Sequence, residues 1–173
     1  AKKSEQQLTT RASFDALTEL YNRETIESQI DNEITLSEAR KSEMAVLFID
    51  VDDFKHYNDQ YSHATGDQVL KFVARTIKGA VNEFGFAGRY GGDEFIACVR
   101  NAEINDPTRV AQDIISKLDE GFECDGVHLS VSVSIGISMI KDDYNTRVEY
   151  IIGKADDAMY SVKKNGKSNY AFI

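Results

Sequence analysis

The chain has no tryptophan, one proline and two cysteines among its 173 residues. Cys98 and Cys124 lack the spacing of a zinc site, and the apolar run around Cys98 predicts a buried, reduced thiol. No apolar run approaches the length of a membrane span, and no signal-peptide pattern occurs. These absences predict a cytoplasmic domain, with any membrane anchor of a longer protein lying outside this sequence.

Positive charge is also scarce, because 20 Lys and Arg residues stand against 29 Asp and Glu residues. The formal net charge of -9 predicts that nucleic acid is not a partner, since binding to a duplex normally needs clustered Lys and Arg. An acidic chain can still bind a polyphosphate when divalent cations bridge its carboxylates to the phosphates. The composition therefore directs attention to paired carboxylates.

Length and hydrophobic content predict one globular domain. Residues 1–14 are mostly polar and are expected to form a linker or the end of an upstream signalling helix, with the domain itself over residues 15–173. Hydrophobic spacing predicts helices over Arg23–Arg40, Asp67–Glu83, Pro107–Glu120 and Arg147–Lys164, and strands over Met44–Val51, Gly85–Tyr90, Glu94–Val99, His128–Met139 and Tyr170–Ile173.

This order of elements predicts an α+β fold, with a ferredoxin-like βαββαβ core, an antiparallel sheet and flanking helices. Strict alternation over His128–Met139 predicts a strand with one buried face and its serines on the other face. Gly91-Gly92 lies between two predicted strands and is typical of a hairpin turn, which this topology would place beside the end of the first strand.

Acidic residues directly follow the most apolar strand, in the order Asp50-Val51-Asp52-Asp53. Alternation along the strand places Asp50 and Asp52 on the same face. Clustered carboxylates repel one another, and removal from water raises the cost of their charge, so a divalent cation would relieve both penalties. A solvated strand end is the alternative, and an isolated acidic triplet would favour it.

A second acidic pair follows the glycines, in Gly91-Gly92-Asp93-Glu94. The glycines allow a tight turn and the close approach of a ligand to the backbone. If this strand neighbours the first strand, Asp93 lies about 5 Å from Asp50, the usual cross-strand distance. That separation suits phosphoryl transfer with two metal ions. A plain hairpin turn flanked by surface charge is the alternative.

Two further polar groups are candidates for ligand contacts. Asn58 and Asp67 offer donors and acceptors that suit a guanine edge, although Asp67 could simply cap the following helix. Lys163 and Lys167 could neutralise phosphate oxygens, although a basic helix end capped by glycine is common.

Taken together and in this order, the motifs resemble those of the GGDEF domain, the catalytic module of diguanylate cyclases. The resemblance extends from about residue 15 to the C-terminus. It is carried by Asp15-Ala16-Leu17-Thr18-Glu19-Leu20-Tyr21-Asn22-Arg23, Ile49–Lys55 with Asn58-Asp59, His63 with Gly66-Asp67, the name-giving Gly91-Gly92-Asp93-Glu94-Phe95, Ser132–Gly136, and Ala155-Asp156 with Tyr160 and Lys163.

The resemblance implies a fold similar to nucleotidyl cyclase catalytic domains and an enzyme that condenses two GTP into cyclic di-GMP and two pyrophosphates. In this family the 3′-hydroxyl of one GTP attacks the α-phosphate of the other where two half-sites of a homodimer face each other. It further implies two Mg²⁺ ions per active site, with Mn²⁺ as a substitute, and an upstream sensory or dimerisation domain in the full-length protein.

The same resemblance assigns roles to individual residues. Asp50, Asp93 and Glu94 are the implied catalytic residues, and the metal is bound by Asp50, the carbonyl of Val51 and Asp93. The residues implied in GTP binding are Asn58 and Asp67 for guanine, Phe54, Lys55, Lys163 and Lys167 for the triphosphate, and Gly91 and Gly92 for close approach of the backbone.

Some positions depart from the family pattern. Lys167 stands where Arg is common, which weakens a bidentate phosphate contact. The inhibitory product site of the family uses an Arg and an Asp, and Asn82 and Gly85 occupy those positions, so this site is expected to be missing.

The alternative functions are a non-catalytic GTP-binding regulatory module, a cyclase for another nucleotide and a metal-dependent nuclease. The retained carboxylates argue against the first, Asp67 against the second, and the lack of a basic surface against the third.

Overall fold

The computed structural model describes residues 12–173. The linker predicted over residues 1–14 therefore lies mostly outside the described residues and stays a prediction. The elements in chain order are α1 (Arg23–Arg40), β1 (Met44–Val51), α2 (Phe54–Gln60), α3 (His63–Val81), β2 (Gly85–Arg89), β3 (Glu94–Arg100), α4 (Pro107–Glu120), β4 (Phe122–Cys124), β5 (Val127–Leu129), β6 (Val133–Ile140), α5 (Val148–Lys164) and β7 (Tyr170–Phe172). Between residues 12 and 173, no helix is both long enough and apolar enough to cross a membrane.

The main sheet has five strands in the order β2-β3-β1-β6-β7. The first four are antiparallel and form the βαββαβ core that the sequence predicts, whereas β7 adds a parallel strand beside β6. β4 and β5 pair with each other in a separate small sheet. Along the outer edge of β2, Tyr21 donates its backbone N–H to Ala87 and accepts from the N–H of Arg89. The predicted α+β class is confirmed, with a mixed rather than purely antiparallel sheet.

Helices cover both faces of the main sheet, which explains why β1 is apolar without interruption. Leu47 and Ile49 pack in the cluster that contains the apolar sides of α3 and α4. Val46 and Phe48 pack in the cluster that contains α1 and α5. Asp50 follows the alternation of Val46 and Phe48, so its side chain lies on the face covered by α5.

The predicted bounds of the helix over Asp67–Glu83 are wrong at both ends. α3 begins at His63 rather than Asp67, because the Ser62 hydroxyl accepts a hydrogen bond from the Thr65 N–H and caps the helix. Asp67 therefore lies within α3 and is not its N-cap. The helix ends at Val81 rather than Glu83, since Asn82 adopts a positive φ of 44°. The short helix α2 was not predicted.

The strand predicted over His128–Met139 is also wrong in extent. It is divided into β5 and β6, which belong to different sheets. The expected exposed serine face does not exist in β6, because Ser134 and Ser138 are fully buried. This face is covered by α5, whose backbone approaches Gly136 closely.

Candidate active site

The end of β1 meets the glycine turn, as the sequence predicts. Asp50 is the cross-strand partner of Glu94, and the Val51 N–H donates to the Asp93 carbonyl over 3.2 Å. Besides burial, the charge of Asp93 is near enough to raise the pKa of Asp50. The structure thus places Asp50, Asp93 and Glu94, the three predicted catalytic residues, at the same edge of the sheet.

The surroundings of Asp50 disfavour its negative charge. Burial first and the nearby charge of Asp93 second raise the pKa of Asp50 to about 7, although Lys163 opposes this rise. Its Oδ1 atom is buried and has no hydrogen-bond partner. A buried acceptor without a partner is costly, and a divalent cation would satisfy it. The residues present therefore fit a divalent metal ion at this edge.

Few side chains are available to coordinate such an ion. Across residues 12–173, no three His, Cys, Asp or Glu side chains form a ready cluster for a metal. Mg²⁺ is commonly held by one or two carboxylates together with substrate phosphates and water. The pair of Asp50 and Asp93, with the Val51 carbonyl, matches that kind of site better than a site built only from protein side chains.

Glu94 has a second acidic neighbour, Asp156, for which the sequence predicts no role. Burial is the main cause that raises the pKa of Glu94, followed by the charges of Asp156 and Asp93, while Arg23 opposes the rise. Asp156 lies on α5, seven residues before Lys163 and thus two helical turns away on the same face. That spacing was the available indication that α5 contributes to the site.

Lys163 reaches the same edge from α5. Its Nζ atom lies 3.0 Å from Asp52 Oδ1, 3.3 Å from Asp50 Oδ2 and 3.4 Å from the Val51 carbonyl oxygen. Lys167 lies just beyond the helix and pairs with Asp53 Oδ1 at 2.9 Å. Both lysines therefore border the candidate metal site, and their contact with phosphate stays a prediction.

Asp52 is a structural carboxylate, and its many hydrogen bonds were not predicted. It is only 4% exposed and accepts hydrogen bonds from the Ser132 hydroxyl, the Ser134 hydroxyl and the Ser168 N–H. Burial alone would raise the pKa of Asp52, but these bonds and Lys163 together outweigh it and hold the pKa below its usual value. Ser132 and Ser134 of the alternating segment thus support Asp52, whereas Ser130 faces solvent.

The residues predicted to read guanine lie where α2 meets α3. Asn58 and Phe54 of α2 both rest against Gly66 of α3, and Asp67 is the next residue along α3 and is exposed. A side chain at Gly66 would place its Cβ 1.9 Å from Asn58 Oδ1 and 3.3 Å from Phe54 Cζ. The missing Cβ of Gly66 therefore determines where the Asn58 amide can lie. Lys55 projects from the exposed side of α2.

If Asn58 contacts guanine as predicted, replacing Gly66 with alanine should weaken GTP binding, because the new Cβ must displace the Asn58 amide. Loss of one hydrogen bond to the base predicts a roughly five- to tenfold weaker affinity for a non-hydrolysable GTP analogue. Calorimetric titration measures this change. Gly79→Ala is the matched control in the same helix, since nothing lies within 4 Å of its added Cβ. Equal loss of affinity in both variants would show that Asn58 is not responsible.

The glycine turn is held in place from one side and open on the other. Arg89 donates to the Gly92 carbonyl over 2.8 Å and to both oxygens of Asp15 over 3.3 Å. Asp15 in turn accepts hydrogen bonds from the Thr18 N–H and hydroxyl. Space beside the Gly92 Cα is open, with no atom within 4 Å of an added Cβ. A ligand can therefore approach the backbone of a turn that is already fixed.

Comparison with known proteins places this arrangement in context. Residues 12–169 match the family model described as diguanylate cyclase, GGDEF domain. Diguanylate cyclase A of Treponema denticola is 38% identical over 136 residues, which are 78% of this chain and 36% of that protein. The bifunctional diguanylate cyclase/cyclic di-GMP phosphodiesterase MucR of Pseudomonas aeruginosa is 33% identical over 171 residues, which are 99% of this chain and 25% of that protein.

Solved structures agree with the sequence matches. The GGDEF domain of TpbB (or YfiN) from Pseudomonas aeruginosa, solved as a delta-N mutant, is 33% identical with a TM-score of 0.86. The match covers 92% of this chain and 93% of that chain. The chain spans only about a quarter to a third of the length of the two curated relatives above, which contain further regions that this sequence does not cover.

Proposed function

The chain belongs to the GGDEF domain family, and from that premise we propose that it condenses two GTP molecules into cyclic di-GMP and two pyrophosphates. The observation that carries the proposal is the half-buried pair of Asp50 and Asp93, with a buried and unpartnered carboxylate oxygen on Asp50. A divalent ion would supply a partner for this oxygen. We further propose that the ions are Mg²⁺, two per active site, with Mn²⁺ as a substitute.

Each group at the edge of the sheet has a role in this proposal. Metal ions held by Asp50, the Val51 carbonyl and Asp93 would stabilise charge on the phosphoryl oxygens and promote ionisation of the attacking 3′-hydroxyl. Glu94, whose pKa is raised by burial and then by the charges of Asp156 and Asp93, would accept the hydroxyl proton directly or through water.

Binding contacts complete the proposed half-site. Asn58 and Asp67 would pair with the guanine edge, and Phe54, which rests against Gly66, would contact the triphosphate. Lys163 and Lys167 would neutralise the triphosphate, with Lys55 approaching it from α2. Open space at Gly92 would admit the nucleotide close to the backbone, with Gly91 shaping the turn.

One half-site holds one GTP, so the proposed reaction needs two copies of the domain facing each other. Bringing two bound nucleotides together supplies orientation that a single domain lacks. We propose a homodimer as the catalytic form, with an upstream sensory or dimerisation domain that controls its assembly in a cytoplasmic setting.

Mass spectrometry of the products tests the function. The domain at high concentration is incubated with GTP, with ATP or with both, in the presence of Mg²⁺. Cyclic di-GMP from GTP alone supports the proposal, and GTP should be used at least about tenfold better than ATP, because an unpaired polar group in the bound complex costs about 1–3 kcal/mol. GTP binding without any product would favour a regulatory, non-catalytic domain instead.

Product inhibition is expected to be weak, because the residues at the family's inhibitory positions lack the charged side chains of Arg and Asp. Asn82 carries no charge, and a side chain at Gly85 would place its Cβ 2.2 Å from the Cys98 carbonyl oxygen. Loss of a charged hydrogen-bonded contact typically costs about 1.5–3 kcal/mol, or roughly 10- to 150-fold in affinity. We expect cyclic di-GMP to give no saturable heat at low micromolar concentration when a GTP analogue fills the active site. Tight binding under that condition would contradict this prediction.

A further inference from the structure

The buried Asp52 carboxylate contacts four polar groups, all of them distant from it in sequence. Its carboxylate accepts from Ser132 before β6, from Ser134 within β6 and from the Ser168 N–H beyond α5. The fourth partner is the Lys163 ammonium of α5, at 3.0 Å. With its position fixed by three uncharged donors, Asp52 is a rigid anchor for this one flexible cation.

The anchored ammonium lies among oxygens that a metal ion would also use. An ammonium has three N–H donors, and three oxygens surround Lys163 Nζ within 3.4 Å: Asp52 Oδ1, Asp50 Oδ2 and the Val51 carbonyl. Two of these belong to the residues assigned to the metal. The other carboxylate oxygen of Asp50, Oδ1, is buried and has no hydrogen-bond partner among residues 12–173. The ammonium therefore contacts two of the oxygens that a divalent ion would need as ligands.

We propose that Asp52 is a positioning residue that holds Lys163 as a built-in counter-ion of the metal site. Lys163 neutralises Asp50 and binds the Val51 carbonyl while no divalent ion is present, and it gives up these oxygens when an ion arrives. The inference rests on the proposed function only for the assignment of Asp50 and Val51 to the metal. Asp52 keeps the ammonium close, because its three uncharged donors fix the carboxylate in place 3.0 Å from Lys163 Nζ.

This arrangement makes the ammonium and the divalent ion competitors. Removing the cation should therefore strengthen binding of a divalent ion to the nucleotide-free domain. In Lys163→Met we expect Mn²⁺, titrated alone and followed by electron paramagnetic resonance, to bind at least about tenfold more tightly than in the unaltered chain. Lys164→Met removes the same charge from the adjacent exposed residue, which lies over Tyr160, and should change the affinity by less than about twofold.

A second measurement tests the part played by Asp52. Lys163→Met should lower the melting temperature of the metal-free domain, because it leaves the buried Asp52 carboxylate without its cation. Adding Asp52→Asn should restore part of that loss, whereas adding Asp53→Asn, at an exposed carboxylate, should restore none of it. If Lys163→Met does not fold, the Mn²⁺ comparison uses Lys163→Gln, which removes the same charge but keeps a polar side chain beside Asp52, with Lys164→Gln as its control and the same expected difference.

The outcomes separate this inference from the proposed function, since neither measurement requires turnover or nucleotide. Unchanged Mn²⁺ affinity in Lys163→Met would show that the ammonium does not occupy the place of the ion. Equal melting temperatures for Lys163→Met with and without Asp52→Asn would show that Asp52 does not act through Lys163. Either result overturns the proposal even if the domain makes cyclic di-GMP. Conversely, a domain that makes no product can still show both effects.

Discussion

Asp93→Asn should reduce cyclic di-GMP synthesis by about a thousandfold without lowering the melting temperature of the metal-free domain. A metal ligand in phosphoryl transfer contributes several kcal/mol, and loss of roughly 4 kcal/mol corresponds to about that factor. The substitution keeps the size of the side chain at the glycine turn. Turnover of GTP is measured together with thermal unfolding in a metal chelator.

The stability result follows from the direction of the Asp50 pKa shift. Burial and then the Asp93 charge raise that pKa from 3.8 to about 7, so the folded domain loses stability as the pH rises between these values. Removing the Asp93 charge should lessen this loss, and the metal-free variant should melt no lower than the unaltered domain at pH 8. Asp119→Asn, at an exposed residue of α4, is the control and should leave synthesis unchanged. Normal turnover in Asp93→Asn would contradict the assignment of the metal site.

Gly136→Ala should destabilise the domain strongly. The added Cβ would lie 1.9 Å from the Ala155 carbonyl oxygen and 2.3 Å from the Met159 nitrogen, both of which are backbone atoms of α5. Since neither can rotate away, α5 must move off the sheet, at a cost of about 1–3 kcal/mol or more. For a domain of this size we expect the melting temperature to fall by roughly 2–12 °C.

The same displacement should impair synthesis, because α5 carries Lys163 and Asp156. A misplacement of about 1 Å can cost about a hundredfold in rate. Gly153→Ala is the control within α5, where no atom lies within 4 Å of the added Cβ, and it should stabilise the helix by about 0.5–1 kcal/mol. If the Gly136 variant has the same melting temperature as the unaltered domain, the close packing of α5 on β6 does not require a glycine at position 136.

The fold was largely predictable because it depends on local hydrophobic spacing. The bounds of α1 and β1 agree with their predicted ranges, and the hairpin turn lies beside β1 as the βαββαβ order requires. The start of α3 was not predictable by the same means. Ser62 and Asp67 are both good capping residues, and only the hydrogen bond from Thr65 shows which of them caps the helix.

The supporting contacts of the site were less predictable than its acidic residues. Asp50, Asp93 and Glu94 could be found because they follow strands at a turn. Nothing local indicates that Ser132 and Ser134 bind Asp52, since their alternation with apolar residues is typical of an exposed face. That pattern failed because helices cover both sides of β6, and their packing depends on residues distant in sequence.

The backbone hydrogen bonds of Tyr21 protect the edge of the main sheet against pairing with other molecules. Its two hydrogen bonds occupy polar groups of Ala87 and Arg89 on the outer edge of β2. A free edge strand is a template for pairing with another molecule. A chain shortened to begin after Tyr21 would keep every helix and strand from α1 to β7, yet it would leave this edge open. Such a shortened chain should aggregate through β2 at concentrations where the longer one stays dispersed.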